Sequence, residues 1–314
     1  METSSNSSGS TLLGVRPVWD EGSERVSGVE VLPIAELDRP RIDVTLRVSG
    51  LFRDVFPTLS ALFQQAVRAL AARDEAPDWN PYVGIEAARV YGPAPGEFGV
   101  GMGAFLGDYS EEGREAAGEA WLAASSWALD GEQAAHDATG LRDRVAGADA
   151  FVHPQDLPET DLLLAEDYAS HEAGFAAAQK ITGGVAKLYH LDNTDPSRPR
   201  ARGLTEEIAR VVQARAANPD WIAGMRRHGF RGGAEIAATL ENMAAFAHLA
   251  GVVPAHLFDL YHEATLGDAD VTAFLQEANP EALQAMRTRF AELHEAGLWQ
   301  SRRNSILATL EDEA

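Results

Sequence analysis

The sequence predicts a helix-rich α/β fold: a mostly parallel sheet flanked by helices, followed by an all-helical C-terminal region. Two observations lead to this class. Before about residue 200, short β-branched runs alternate with longer stretches of helical periodicity, as in βαβ units. Beyond that point the strand patterns stop, and Asn-Pro pairs at 218–219 and 279–280 mark the starts of helices.

The N-terminal third begins with two strand patterns and one long helix pattern. GVEVLPI (residues 28–34) and RIDVTLRVS (41–49) are typical of strands, and the second alternates polar and apolar side chains. Residues 51–73 then follow helical periodicity, and Pro57 fits only in the first turns of that helix. AARVYG (87–92) predicts a further short strand.

The middle of the chain alternates helices with two more strands. Periodicity predicts helices over residues 111–128, 132–145 and 161–181, whereas DAFVH (149–153) and VAKLYH (185–190) are typical of strands. Strands separated by helices usually pair in parallel, so we expect a mostly parallel sheet.

The C-terminal third is predicted to be entirely helical. Its last long helix starts at Asn279 and ends at Gly297, and GAEIAATLENMAAFAHLAG (233–251) is typical of a buried helix. We therefore predict three regions: a disordered polar tail (1–12), an α/β domain (13–200) and a helical domain (201–314).

Composition excludes several classes of protein. The formal net charge of −22 repels nucleic acid and anionic membranes, so neither is expected as a partner. Cysteine is absent, so any metal must be held by His, Asp or Glu. Only two of the 26 basic residues, Lys180 and Lys187, are lysines. The arginine excess indicates either anion recognition or a codon preference for arginine.

Several common signatures are also missing. No apolar run approaches the ~20 residues of a membrane span, and the N-terminus lacks a signal-peptide core, so the cytoplasm is the expected location. No P-loop is present, so ATP is not expected to bind here. The glycine-rich stretch after residue 91 does not place G-x-G-x-x-G directly between a strand and a helix.

One predicted helix combines carboxylates with a histidine. Helical spacing puts Tyr168, His171 and Phe175 on one apolar stripe, with Asp167 one turn before the histidine. A carboxylate beside an imidazole suits a proton acceptor or a metal ligand. The alternative is a structural histidine in the core. Other carboxylates, Asp161, Glu166 and Glu172, are expected on the wetter faces, where Asp161 can also favour the helix N-terminus.

Two further histidines follow predicted strands. His153 precedes Asp156 after DAFV, and His190 precedes Asp192 after AKLY. Ligands usually bind at the carboxyl ends of parallel strands, although polar residues are common in any such loop.

A basic cluster joins two predicted helices at MRRHGFRGG (225–233). Arg226, Arg227, His228 and Arg231 precede a helix start there, which indicates an anion site. The alternative is an ordinary helix C-terminus, where basic side chains interact favourably with the helix dipole.

Five long strings together resemble one family. They are GVRPVWDEGSERVSGVEVLP, RPRIDVTLRVSGLFRDVFP, VHPQDLPETDLLLAEDYASHEAGFAAA, ANPDWIAGMRRHGFRGGAEIA and GLWQSRRNSILATL. In this order they resemble the large subunit of aerobic cobaltochelatase, the CobN type, which is related to the H subunit of magnesium chelatase. The resemblance begins near Gly14 and continues to the C-terminus.

The resemblance implies a function that spacing alone does not indicate. Such a subunit binds a tetrapyrrole, hydrogenobyrinic acid a,c-diamide in the cobalt branch, and inserts Co²⁺ as the substrate metal. Separate AAA+ ATPase subunits hydrolyse ATP, which agrees with the missing P-loop. The family's large subunit is much longer, so the resemblance implies its C-terminal part: a split subunit that needs an N-terminal partner, an excised domain or a remnant, inactive alone.

Two alternatives remain within this resemblance. The chain could be a non-catalytic module that binds a tetrapyrrole or docks the ATPase, or it could be a relative directed at magnesium or nickel. Ligand chemistry at a histidine–carboxylate site does not decide between these metals.

Metal insertion requires three kinds of group: a base for the pyrrole N–H protons, ligands for the metal and cations for peripheral carboxylates. The expected catalytic residues are His171, Asp167 and Glu172. The expected substrate-binding residues are Arg53, Arg226, His228 and Arg231. The expected metal ligands are His171, Asp161, His153 and His190.

Overall fold

The computed structural model describes residues 13–20, 22, 26–85, 87–100 and 107–307. Nine strands lie within these residues. They are β1 (Val15–Trp19), β2 (Val26–Val31), β3 (Leu46–Arg47), β4 (Val90–Gly92), β5 (Trp127–Asp130), β6 (Gln133–His136), β7 (Ala150–Gln155), β8 (Lys187–Asp192) and β9 (Arg200–Gly203).

Helices occupy much of the rest, and three of them contain a π-helical turn. In the first half they are α1 (Gly50–Val55), α2 (Pro57–Ala71), α3 (Glu111–Ala123) and α4 (Ala138–Ala146). α5 (Glu166–Tyr168) runs through a π turn (Ala169–Ala173) into α6 (Gly174–Thr182). Then follow α7 (Leu204–Val211) with a π turn (Val212–Ala216), α8 (Pro219–Arg226), α9 (Gly229–Ala245) with a π turn (Phe246–Ala250), α10 (Ala255–Ala264), α11 (Ala269–Ala278) and α12 (Pro280–Glu295).

The chain forms two compact units that alternate along the sequence. The first comprises Met1–Val100 and Leu122–Arg144, and the second comprises Gly101–Trp121 and Val145–Ala314. Strands do give way to helices after β9, near residue 200 as predicted, but this change lies inside the second unit. That residues 201–314 form a domain of their own stays a prediction.

The first unit contains a two-stranded hairpin and a four-stranded sheet. β1 and β2 are antiparallel, and the larger sheet has the order β3-β4-β5-β6 with only β3 and β4 parallel. The helices predicted over 111–128 and 132–145 are wrong at 127–136, where β5 and β6 form a hairpin. Gly131, at φ +67°, permits the two-residue turn that joins them.

A buried arginine, Arg41, links separate segments of the first unit. Arg41 donates to the carbonyls of Leu13 and Leu32 and pairs with Glu75. Residues 41–45 lie outside any strand, so the strand predicted over 41–49 is reduced to Leu46–Arg47. The guanidinium therefore ties the N-terminal hairpin to the segment before β3.

The second unit contains the remaining sheet and most of the helices. β7 and β8 are parallel and β9 is antiparallel to β8. The predicted α/β class and the helical C-terminal region are confirmed. The pairing is more mixed than predicted, since two of the described strand pairs are parallel and four are antiparallel. Hairpin turns, which periodicity did not detect, account for part of this difference.

The C-terminal helices start as their caps predict. The Asn218 side chain accepts from the Asp220 N–H, and that of Asn279 accepts from the Ala282 N–H, each with proline in the first turn. Large buried side chains fill the core between the helices; they include Leu240, Met243, Tyr261, Phe290 and Trp299. No helix of the described segments is long and apolar enough to cross a membrane.

Candidate functional site

Two histidines lie side by side on β7 and β8. The parallel register pairs His153 with His190 and Gln155 with Asp192. Both strands extend two residues beyond their predicted ends, so the histidines lie within the strands rather than after them. Because side chains alternate along a strand, His153 and Gln155 share one face of β7.

The helix that connects these strands places a carboxylate over the histidine pair. α5, its π turn and α6 form a crossover between parallel β7 and β8, and Phe175 of α6 stacks on Phe151 of β7 with ring centroids 4.3 Å apart. Glu172, in the π turn, is completely buried. Its Oε1 lies 3.1 Å from His153 Nδ1 and 2.8 Å from His190 Nδ1.

The expected wetter position of Glu172 is therefore wrong. A π turn contains one residue more than an α turn, so positions counted at 3.6 residues per turn do not keep their face across it. Glu172 faces the sheet, His171 is half-buried, and Asp167 is exposed at the start of the helix. Sequence periodicity could not show this, because the extra residue leaves no local signal.

A second polar contact completes the environment of His190. Its Nε2 lies 2.9 Å from Oε1 of Gln155, which is also buried. The Gln155 amide nitrogen donates to the carbonyls of Leu157 and Thr160 at 3.1 and 2.7 Å. Gln155 was not among the predicted residues; the available signal was its position two residues after His153, where a longer strand would place both side chains on one face.

Two further rings border this group. The Tyr168 ring centroid is 5.2 Å from that of His153 and 5.4 Å from that of His190. The His171 ring meets the His153 ring edge-on at 5.3 Å. Burial, followed by nearby carboxylates, raises the pKa of Tyr168 to about 12, so its phenol stays protonated at neutral pH. We call His153, Tyr168, His171, Glu172 and His190 the histidine cluster.

Asp161 does not join the histidine cluster. Its Oδ1 accepts from the N–H groups of Leu163 and Leu164, and its carboxylate accepts from Nε and Nη2 of Arg215. Within the described ranges, no group of three or more His, Asp or Glu side chains is arranged to hold a metal ion. Asp161 therefore pairs with Arg215 and lies apart from the other three expected ligands, His171, His153 and His190, whose metal role stays a prediction.

Arg53 is used by the first unit itself. Its guanidinium donates to the carbonyls of Pro93, Ala94 and Glu97 and pairs with Asp54. The side chain is 7% exposed. These bonds hold the loop after β4 and occupy the donors that were expected to bind a substrate carboxylate.

The basic cluster at the end of α8 is exposed. Arg226, His228 and Arg231 all face solvent, and Arg231 lies 3.9 Å from Glu235. Arg226 lines a cleft of about 480 Å³ in which Asp270 and Glu277 supply opposite charge. An anion site and a simple basic helix end both stay compatible with this exposure.

Comparison with known proteins identifies the family. Residues 7–306 match the family model described as CobN/Magnesium Chelatase. The chain belongs to this family. The resemblance inferred from the five sequence strings is confirmed.

Individual relatives in the CobN/magnesium chelatase family support the assignment. The chain is 41% identical to the aerobic cobaltochelatase subunit CobN of Pseudomonas aeruginosa, over 92% of this chain and 25% of the relative. It is 26% identical to the chloroplastic magnesium-chelatase subunit ChlH of Oryza sativa subsp. japonica, over 94% of this chain and 22% of the relative. The chain thus spans about a quarter of the length of these relatives.

A solved structure shares the fold. The catalytic subunit of cobaltochelatase from Mycobacterium tuberculosis superposes with a TM-score of 0.87 at 33% sequence identity. The match covers 97% of this chain and 27% of that subunit. The fold described above is therefore that of one segment of a large chelatase subunit.

Proposed function

We propose that this chain is a segment of a cobaltochelatase large subunit and that the histidine cluster serves insertion of Co²⁺ into a tetrapyrrole. Family membership supports chelation in general. Identity of 41% to a cobaltochelatase subunit, against 26% to a magnesium-chelatase subunit, favours cobalt. The observation that carries the proposal is the buried carboxylate of Glu172, which two neighbouring histidines share.

The chemistry of insertion explains why histidines suit this role. A metal that enters the macrocycle displaces the pyrrole N–H protons, and imidazole is the side chain best suited to accept protons near neutral pH. The His153 side chain is 23% exposed while its Nδ1 is held by Glu172, so its Nε2 is the atom offered to a substrate. We assign proton acceptance to His153 and His171.

Glu172 orients His153 rather than touching the macrocycle. Its side chain is fully buried, so it acts by fixing the imidazole ring. Tyr168 supplies a neutral wall, since its phenol keeps its proton. The exposed Arg226, His228 and Arg231 are suited to peripheral carboxylates of the substrate.

The finer assignments extend the same proposal. We infer hydrogenobyrinic acid a,c-diamide as the tetrapyrrole and Co²⁺ as the substrate metal. AAA+ ATPase subunits would supply ATP hydrolysis, and the rest of the large subunit would complete the substrate cavity. This chain covers about a quarter of the length of each relative, which supports the need for such a partner segment.

Reconstitution tests the proposal directly. The chain is mixed with the remaining part of the large subunit, the ATPase subunits, ATP, Co²⁺ and the tetrapyrrole, and insertion is followed by absorbance. We expect ATP-dependent insertion that disappears when this chain is omitted. Equal activity without this chain contradicts the proposal.

Single variants locate the chemistry within the histidine cluster. His153→Gln and His171→Gln are each expected to lower the insertion rate by about 100-fold, the usual contribution of one acid–base group. His256→Gln is the matched control, because His256 is exposed on α10. Circular dichroism must show an intact fold, since loss of activity in proportion to the folded fraction would indicate structural histidines.

A non-catalytic binding or docking module is the second candidate. It is favoured by the lack of an assembled metal-binding group in the described part of the chain. Titration of the isolated chain with the tetrapyrrole separates the two. Binding without insertion in every partner mixture supports the module.

A further inference from the structure

The orientation of the Gln155 amide is determined by its neighbours. Its nitrogen lies 3.1 and 2.7 Å from the carbonyl oxygens of Leu157 and Thr160, which accept hydrogen bonds and cannot donate them. A flipped amide would place oxygen against both carbonyls. The Gln155 Oε1 atom must therefore face His190 as an acceptor.

His190 consequently carries a proton on Nε2. The Nε2–Oε1 distance of 2.9 Å is a normal hydrogen bond, and only an N–H on the ring can donate it. One proton then remains for the 2.8 Å contact between His190 Nδ1 and Glu172 Oε1. Whether this proton lies on nitrogen or on oxygen, the His190–Glu172 pair has no net charge, which suits two fully buried side chains.

This arrangement determines the tautomer of His153. If Glu172 donated to His153 Nδ1, His190 would have to be a cation beside a neutral acid, or its Nδ1 lone pair would face an oxygen lone pair. Both alternatives are costly where water is excluded. His153 Nδ1 must therefore donate to Glu172 across 3.1 Å, which leaves the lone pair of neutral His153 on Nε2.

We propose that Gln155 is a positioning residue that acts through His190 and Glu172 to hold His153 as the Nδ1–H tautomer, with Nε2 as its proton-accepting atom. Four side chains thus form one chain of hydrogen bonds from β7 through β8 and the π turn back to β7. The catalytic meaning of His153 rests on the proposed function. The hydrogen-bond chain itself does not, since it is a property of this chain alone.

Nitrogen-15 NMR of the labelled full chain tests the inference without any activity assay. Long-range ¹⁵N–¹H correlations distinguish protonated ring nitrogens from those with a lone pair. We expect protonated-type signals for His190 Nε2 and His153 Nδ1, and a lone-pair signal for His153 Nε2. A lone-pair signal at His190 Nε2, or a protonated Nε2 with a bare Nδ1 in neutral His153, overturns the proposal.

Two substitutions at one position sharpen the test. Gln155→Leu removes the acceptor, so the His190 Nε2 signal should shift to the lone-pair type. Gln155→Glu keeps an acceptor and should retain the protonated-type signal. Unchanged His190 signals in folded Gln155→Leu contradict the proposal, and if that variant does not fold, the unmodified spectrum still decides.

Gln179→Leu is the matched control. Gln179 is as buried as Gln155, and its side-chain amide bonds the carbonyl of Val145 and the N–H of Ala186, both backbone groups. Its loss should leave the His153 and His190 signals in place. Activity is a separate readout: if the unmodified chain shows the expected ring-nitrogen signals but its reconstituted mixture inserts no Co²⁺, the result counts against the proposed function alone.

Discussion

Two buried histidines of the second unit show opposite ways of burying an imidazole. His190 and His262 are 1% and 2% exposed. Both ring nitrogens of His190 have side-chain partners, Glu172 and Gln155. His262 lies against Phe290 and Trp299, and neither of its ring nitrogens has a hydrogen-bond partner among the described residues.

The difference separates a polar network from apolar packing. Burial lowers the pKa of His262, against an opposing effect of Asp259 and Glu263, so this ring is neutral and serves as a flat core side chain. A network such as that of His190 costs free energy wherever a buried member lacks a partner, as Glu172 Oε2 does among the described residues. Such a network is therefore expected where orientation of a side chain matters, here that of His153.

The largest expected effect comes from removing the shared carboxylate. Glu172→Ala leaves His190 and His153 without their common hydrogen-bond partner, so we expect a loss of about 3–5 kcal/mol in the free energy of unfolding. Urea denaturation measures it. Glu166→Ala, on the exposed face of the same helix, is the control and should change little. A loss as small as that of the control would remove the basis of the comparison.

The second test exchanges each buried histidine for phenylalanine. His190→Phe leaves the buried polar groups of Glu172 and Gln155 without their hydrogen-bond partner. It should lower the free energy of unfolding by about 2–4 kcal/mol. His262→Phe replaces a ring that has no hydrogen-bond partner in the described part of the chain, and it should stay within about 1.5 kcal/mol of the unmodified chain. Denaturation of the two variants side by side measures the difference. Equal losses would show that the two sites do not differ.

The third test uses pH. Burial, and then the charge of Arg114, lowers the pKa of His248, and burial lowers that of His262 below its ordinary 6.5. As pH falls, these two histidines therefore take up protons in the unfolded chain at a higher pH than in the folded chain. Above about pH 6.5 these two histidines do not lower the free energy of unfolding. Below that pH, each lowers it by up to about 1.4 kcal/mol per pH unit.

Denaturation at about pH 7.5 and about pH 5.5 measures this decline, to which carboxylates also contribute. The difference between the unmodified chain and His262→Phe isolates one histidine. We expect a shallower decline in the variant. The same slope in both would mean that His262 is not buried in its neutral form.

The smallest expected effect concerns Asp161. Asp161→Asn keeps an oxygen for the N–H groups of Leu163 and Leu164 but loses the ion pair with Arg215, so we expect a cost of about 1 kcal/mol. Denaturation measures the cost, and the reconstituted insertion rate should be unchanged. A folded variant that no longer inserts Co²⁺ would restore the metal role expected from the sequence.

The sequence by itself determined the features that depend on local patterns. The order of its long strings indicated the family, and the Asn-Pro pairs at 218–219 and 279–280 marked helix starts that the structure contains. Strand patterns also brought His153 and His190 to neighbouring strands. Helix caps, β-branched runs and family motifs can be recognised from the sequence because each is a continuous segment of the chain.

Only the tertiary structure decided which of the candidate side chains meet. The π turn places Glu172 against the sheet. Asp161 pairs with Arg215, and Arg53 donates to carbonyls of the loop after β4. These partners lie 18 to 54 residues apart along the chain. A helical count of 3.6 residues per turn carries no information about such distant partners, nor about the one extra residue that turned Glu172 inward.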